Sequence, residues 1–189
     1  MNSNTFLDKL SATILSQSDI QLSNCLIVLP NKRAKVFLLE SLKNQLETTS
    51  FAPTIISIED FIQEISGLRT IDSIELLFEF YEVYLSVTEK PKQQLFEEFA
   101  TWAKTAIQDF NEIDRYLLEP NHVFSYLKDI EALKRWNLEP SNTTKLIDTH
   151  LEFWAKLPLY YESFYNHLLK KGIGYQGLLY REAVKNLAS

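Results

Sequence analysis

Apolar residues recur along this chain at two different periods, and each change of period marks an element. Phe6, Leu10 and Ile14, with Leu7 beside them, repeat every four residues and predict a helix over about 5–17. "CLIVL" (Cys25 to Leu29) then replaces that spacing with an unbroken apolar run of strand length. A continuous run, rather than an alternating one, predicts a strand buried on both faces, as in a parallel sheet. From Asn31 the helical period returns, with Ala34, Leu38, Leu42 and Leu46 on one face and Leu39 flanking them. "PTIISI" (Pro53 to Ile58) is a second short strand. Ser57 follows as an N-cap, with Glu59 in the first turn and Asp60 three residues on. Residues 1–66 therefore read helix, strand, helix, strand, helix. Such an order makes an α/β segment whose strands, about 25–29 and 54–58, lie parallel through a right-handed crossover.

After Gly67 only helical periods remain. Asp72 and Glu75 stand in capping-box spacing ahead of "SIELLFEFYEVYLSV". A long helix is predicted over about 92–118, with Leu95, Phe99, Trp102, Ala106, Phe110, Ile113 and Leu117 as a stripe that reads as core. Pro120 is expected to end it, Asn121 to cap the next helix, and "EPSNTT" to form a loop. A further helix carries Ile147, Leu151, Trp154, Tyr161, Tyr165 and Leu168, and Pro158 is expected to kink or split it. Gly172, just after Lys170 and Lys171, suits a helix stop, and a last helix follows "GIGYQG". The fold class is α/β and predominantly helical. Residues 1–66 form the α/β segment and 67–189 a helical subdomain, its last helix placed to return onto the first segment.

Composition narrows what such a fold does. With 46% hydrophobic and 13% aromatic residues, 189 residues suffice for one sizeable domain or two small ones with a packed core. A net charge of −6 excludes a uniformly basic nucleic-acid coat, so any such contact comes from a local patch. The single cysteine, Cys25, rules out an intramolecular disulfide and reads as a buried thiol. The N-terminus lacks a basic stretch followed by an apolar one, and no apolar run reaches the roughly 18 residues that span a bilayer. A cytoplasmic protein with no membrane partner is the expectation. None of the four glycines precedes Gly67, so no glycine-rich phosphate loop leads into the early helices. His122, His150 and His167 show no metal-ligand spacing and read as solvated or core-edge residues. No Asp or Glu has Lys two positions later, as the PD-(D/E)XK metal nucleases require. No catalytic residue, cofactor or metal ligand is therefore assigned.

One local feature stands against the acidic background. Lys32, Arg33 and Lys35 crowd the first turn of a predicted helix, where roughly half a positive charge already resides. Between Asn31 and Lys43 four cations face one acid, Glu40. An anion there would meet backbone N–H groups and cations together, beyond the carboxyl end of a parallel strand, where open α/β sheets bind ligands. Without a phosphate loop to specify a nucleotide, a nucleic-acid backbone is the favoured anion. The candidate set is Asn31 as cap, Lys32 and Arg33 as phosphate grips, Lys35 one turn along, and Ser57 at the end of the second strand.

"LIVLPNKRAKVFLLESL" resembles the motif Ia region of UvrD-like superfamily 1 helicases, where a strand leads into T-N-K-A-A and a helix; Asn31, Lys32, Arg33 and Ala34 stand in the matching positions. In that family the motif contacts the single-stranded DNA backbone. "ISIEDFIQEISG" is similar to the segment that follows, with Ser57, Ile58 and Glu59 at the family's T-F-H turn and no histidine. "GIGYQGLLYREAVKNL" resembles the D-F-D-D-L-L helix closing the 1B subdomain, with Gln176 and Gly177 replacing its acids. "LFEEFATWAKTAIQDFNEIDRYL" resembles the N-terminal part of AddB-like proteins of Bacteroidetes type, within the PD-(D/E)XK nuclease family. The resemblance implies a non-catalytic, helicase-like N-terminal region of a DNA exonuclease used in double-strand break repair. Its nuclease centre would lie in a later domain. The implied partners are single-stranded DNA, the remainder of a longer chain and an AddA-like helicase subunit. The competing reading is a protein-interaction module whose aromatic helices dock another subunit or the rest of a longer chain.

Overall fold

The structure, a computed structural model, describes residues 5–17, 21–126 and 145–188, with side chains from 154 onward in the last segment. The chain divides into two compact units, Met1–Glu64 and Ile65–Ser189.

In the first unit, helix α1 (Phe6–Ser16) starts from a reciprocal box. The Thr5 hydroxyl accepts from the Asp8 N–H at 3.2 Å, and the Asp8 carboxylate accepts from the Thr5 N–H at 3.0 Å. Strands β1 (Leu26–Leu29) and β2 (Thr54–Ser57) flank helix α2 (Arg33–Gln45) in sequence and pair in parallel. Leu26 stands opposite Thr54 and Leu29 opposite Ser57. Leu29, Leu38, Leu42 and Ile55 form the core, with Leu7, Leu10, Ile14, Ala34 and Leu39 packed around it. Ser41 of α2 donates to the Asp8 carboxylate at 2.8 Å, and Gln45 donates to the Asp8 carbonyl at 3.0 Å, tying α2 to α1.

Three expectations change here. The sheet is not buried on both faces, because Ile27, Leu29 and Ile55 face the core while Leu26 is 51% exposed. A strand alternates its side chains, and the described strands of this unit are only two. Phe6 lies outside the apolar face of α1. Cys25 is half-buried rather than buried, its thiol 3.5 Å from the Gln21 carbonyl.

Helix α3 (Ile58–Ser66) follows β2 directly. Gly67, at φ 68, then turns the chain into β3 (Arg69–Thr70). The sequence reading has no counterpart for β3, which pairs in parallel with β4 (Ile173–Gly174) across almost the whole second unit. Asp72 caps helix α4 (Ser73–Val87), accepting from the N–H groups of Ile74 and Glu75 at 2.8 and 2.9 Å. Helix α5 occupies Phe96–Arg115 rather than 92–118. Its start is delayed because Pro91 sits in a separate one-turn 3-10 helix, Lys90–Lys92. At its end Leu117 takes the left-handed conformation, φ 54. The Leu118 N–H reaches the Ile113 carbonyl at 2.9 Å and the Leu117 N–H the Asp114 carbonyl at 3.0 Å, a Schellman closure.

Pro120 begins the next helix, α6, described over 120–126, instead of ending the previous one. The Glu119 carbonyl accepts from His122 and Val123, so Asn121 lies inside α6 and is not its cap. Proline fits a first turn because its missing N–H is unpaired there anyway. "EPSNTT" and the side chains of Ile147, Leu151 and His150 lie outside the described residues. Helix α7 (Lys145–Lys171) runs through Pro158 without splitting. One hydrogen bond is forfeited there, while Leu157, Tyr160, Tyr161, Phe164 and Leu168 are buried along the same helix. Gly172, at φ 66, ends it.

Helix α8 (Gln176–Ala188) packs against α5 and β3. Gly177 makes that approach possible, because a Cβ there would lie 2.1 Å from the Asn111 carbonyl oxygen. The aromatic stripe of α5 is core, as expected, at Phe99 and Phe110, while Leu95 and Leu117 at its ends are exposed. Phe80 sits at the centre, with Phe99, Trp102, Phe110 and Tyr160 edge-on to it. A charge is buried beside them. Asp114, fully buried, accepts from Tyr161, from Tyr175 at 2.5 Å and from the Arg181 Nε at 2.6 Å. The same Arg181 donates to the Ile113 and Leu118 carbonyls at 3.1 and 2.5 Å, at the end of α5. Among the described residues no helix is long and apolar enough to cross a membrane.

Candidate functional site

The parallel register puts the ends of β1 and β2 side by side, so the helices that leave them start as neighbours. Pro30, Asn31 and Lys32 make the turn from β1 into α2. The Asn31 side-chain oxygen accepts from the Ala34 N–H at 3.0 Å, the cap expected of it. The first turn of α2 holds no acid, and Lys32, Arg33 and Lys35 are all exposed.

The three cations are not equivalent. The Lys32 ammonium lies 2.8 Å from the Asp60 carboxylate, which belongs to the first turn of α3. That hydrogen bond holds Lys32 above its ordinary pKa, helped by the charges of Asp60 and Glu59. It also holds Asp60 below the usual carboxylate range, with a further hydrogen bond from Ser57. The Arg33 and Lys35 side chains make no ion pair or hydrogen bond with the described residues.

Ser57 is 3% exposed. Its hydroxyl donates to Asp60 at 2.8 Å and accepts from the Asp60 N–H at 3.2 Å, closing the N-terminus of α3. Its one proton is thus committed to Asp60, which places Ser57 behind the ion pair rather than in front of a ligand. All five residues named from the sequence gather at this junction. Their spacing did not bring in Asp60, whose presence in a first turn is ordinary and whose contact with Lys32 arises only when the two strands pair. Val36 and Phe37, on the next positions of α2, are 66% and 61% exposed. The surface around the cations is therefore apolar as well as basic.

In the second unit, Glu79 and Glu82 of α4 and His167 of α7 bring their ligand atoms within 4.8 Å of one another, the group among the described residues with atoms placed to hold a metal. His122 is exposed and belongs to no such group among the described residues. Nothing in the spacing of the histidines marks His167, because its acidic partners stand about 85 residues earlier.

A scan against models of known protein families and a search of curated proteins returned no match to this chain.

Proposed function

We propose that the first unit grips the sugar-phosphate backbone of single-stranded DNA at the β1–α2 junction, as the non-catalytic, AddB-like N-terminal region of a DNA exonuclease or helicase in double-strand break repair. The observation that carries this reading is the pair Arg33 and Lys35, exposed and without partners among the described residues, on a helix start with no acid in its first turn. Lys32 joins them by exchanging the Asp60 carboxylate for a phosphate. Asn31 fixes the helix start, and Ser57 acts through Asp60. Such contacts position a strand without reading its sequence.

The Asp60 pair supplies the test, because a carboxylate that competes for Lys32 opposes a phosphate. Binding of a fluorescent single-stranded oligonucleotide, followed by anisotropy across a salt series, is expected to weaken with a log–log slope of roughly 0.7 per phosphate held. Arg33→Ala/Lys35→Ala should weaken it and flatten the slope, and Asp60→Asn should strengthen it. Affinity indifferent to both changes removes the reading.

A second reading, docking of another subunit or of the remainder of a longer chain, draws on a different surface. Ile74, Phe78 and Leu85 share an outward face of α4, with Leu95 exposed as well and Phe78 stacked on Phe96 at 4.8 Å. Exposed apolar clusters of this kind mark contact sites. Concentration-dependent association of the chain that Phe78→Glu abolishes supports it; a monomer at all concentrations in both forms counts against it.

A further inference from the structure

Helices α4 and α7 meet at a polar cluster. Glu79 and Glu82 project from successive turns of α4, and His167 and Lys171 from successive turns of α7. The His167 Nε2 lies 2.6 Å from a Glu79 oxygen and 3.8 Å from a Glu82 oxygen. The Lys171 ammonium lies 2.6 and 3.1 Å from those same two oxygens. Two carboxylates and an imidazole nitrogen thus converge on one point, and a cation already sits against both acids.

We infer that Glu79, Glu82 and His167 form a binding site for a borderline divalent transition-metal ion such as zinc, with Lys171 as the internal cation that the metal displaces. One imidazole and two carboxylates make a three-ligand set that leaves a further position for water. Metal–ligand bonds of about 2.0–2.2 Å put neighbouring ligand atoms roughly 3.3 Å apart. The present separations of 2.6 and 3.8 Å bracket that value, so binding opens one gap and closes the other. The Glu82 side chain is 65% exposed, and the Lys171 side chain is 40% exposed and can swing into water. Glu79 and His167, at 16% and 20%, are the more enclosed half of the site, and a small side-chain rotation widens the gap between them. The imidazole nitrogen disfavours calcium and magnesium, which take oxygen ligands.

The charge arrangement fits the exchange. Glu79 is largely enclosed and needs a positive neighbour at all times, which Lys171 supplies in the absence of metal. A divalent ion neutralises both carboxylates and releases the ammonium to solvent. The ion would also tie α4 to α7, elements separated by most of the unit's sequence.

The test uses the whole 189-residue chain at a fixed neutral pH, with zinc and cobalt(II) as probes. Zinc is titrated calorimetrically, and cobalt is followed by its visible absorption, which intensifies on leaving the hexaaqua ion. Glu82→Gln, at an exposed position that does not threaten folding, and His167→Gln should each weaken zinc by more than about 10-fold, at least the loss that removing an outer-shell partner of a ligand causes. Lys171→Met should strengthen it, since it removes the competitor while leaving all three ligands. Zinc should raise the melting temperature of the parent and chelator should reverse the rise. Equal zinc affinity in the parent, Glu82→Gln and His167→Gln would mean adventitious surface binding and overturn the inference. So would a Lys171→Met protein that binds zinc no better than the parent.

Discussion

Replacing Asp114 with alanine is expected to destabilise the second unit by about 4 kcal/mol. The carboxylate is fully buried and is the common acceptor for Tyr161, Tyr175 and Arg181. Removing it strands two phenolic hydroxyls, each costing about 1–3 kcal/mol when buried without a partner. It also strands a guanidinium whose side chain is 14% exposed, and breaking a buried ion pair costs about 3–5 kcal/mol. These figures do not add, because the three donors share one acceptor. Arg181 also keeps the Ile113 and Leu118 carbonyls, which holds the total near the ion-pair value. Urea unfolding followed by tryptophan fluorescence and circular dichroism measures it. With a slope of roughly 2 kcal/mol/M, the midpoint should fall by about 2 M. The reasoning also requires that removing both charges together, Asp114→Leu/Arg181→Met, restore part of the loss, since no buried charge is then unpaired although the two phenols stay without an acceptor. A loss below about 1 kcal/mol in Asp114→Ala at unchanged slope would refute it. A double variant no more stable than the single would refute it as well.

The same cluster fixes an alkaline limit. Burial and the neighbouring Asp114 carboxylate hold the Tyr161 and Tyr175 hydroxyls above the ordinary tyrosine pKa. The fold therefore favours the neutral phenols, and this contribution is complete below the unfolded value of about 10 and declines as pH rises beyond it. Urea midpoints should hold steady to about pH 10 and then fall, with tyrosinate absorbance lagging until unfolding. At the candidate DNA site, Lys32→Ala should raise the Asp60 midpoint toward the ordinary carboxylate value in a carboxyl NMR titration. Its depressed pKa means the pair stabilises at neutral pH and is lost as acid protonates Asp60; an unmoved midpoint would show that Lys32 is not its partner. Leu117→Gly should stabilise the chain by about 1 kcal/mol in urea unfolding, since glycine takes the left-handed closure of α5 without Cβ crowding.

What was legible in the sequence was local. The apolar run at 25–29 and the four-residue period after it identify β1 and α2, and Ser57 with Asp60 marks the start of α3 to the residue. The aromatic face of α5 reads as core because Phe99, Ala106 and Phe110 repeat at helical spacing. What was not legible depends on pairings far apart in the chain. The two-residue strands β3 and β4 are too short to leave a period. Pro158 does not split α7, because tertiary packing along that helix outweighs one lost hydrogen bond. Leu117 closes α5 where a glycine would have announced the stop. At the candidate site the cations and the cap were visible, but the Lys32–Asp60 pair and the Glu79–Glu82–His167–Lys171 cluster exist only once separate helices come together.

The β3–β4 pairing bears on how the protein is made. Arg69 waits for Ile173, about a hundred residues downstream, and α5 waits for α8. A ribosome adding roughly 5–20 residues per second takes on the order of 5–20 s to supply them. During that interval the nascent α4 and α5 display their aromatic faces to solvent, while the described pairings of the first unit span far shorter stretches of chain.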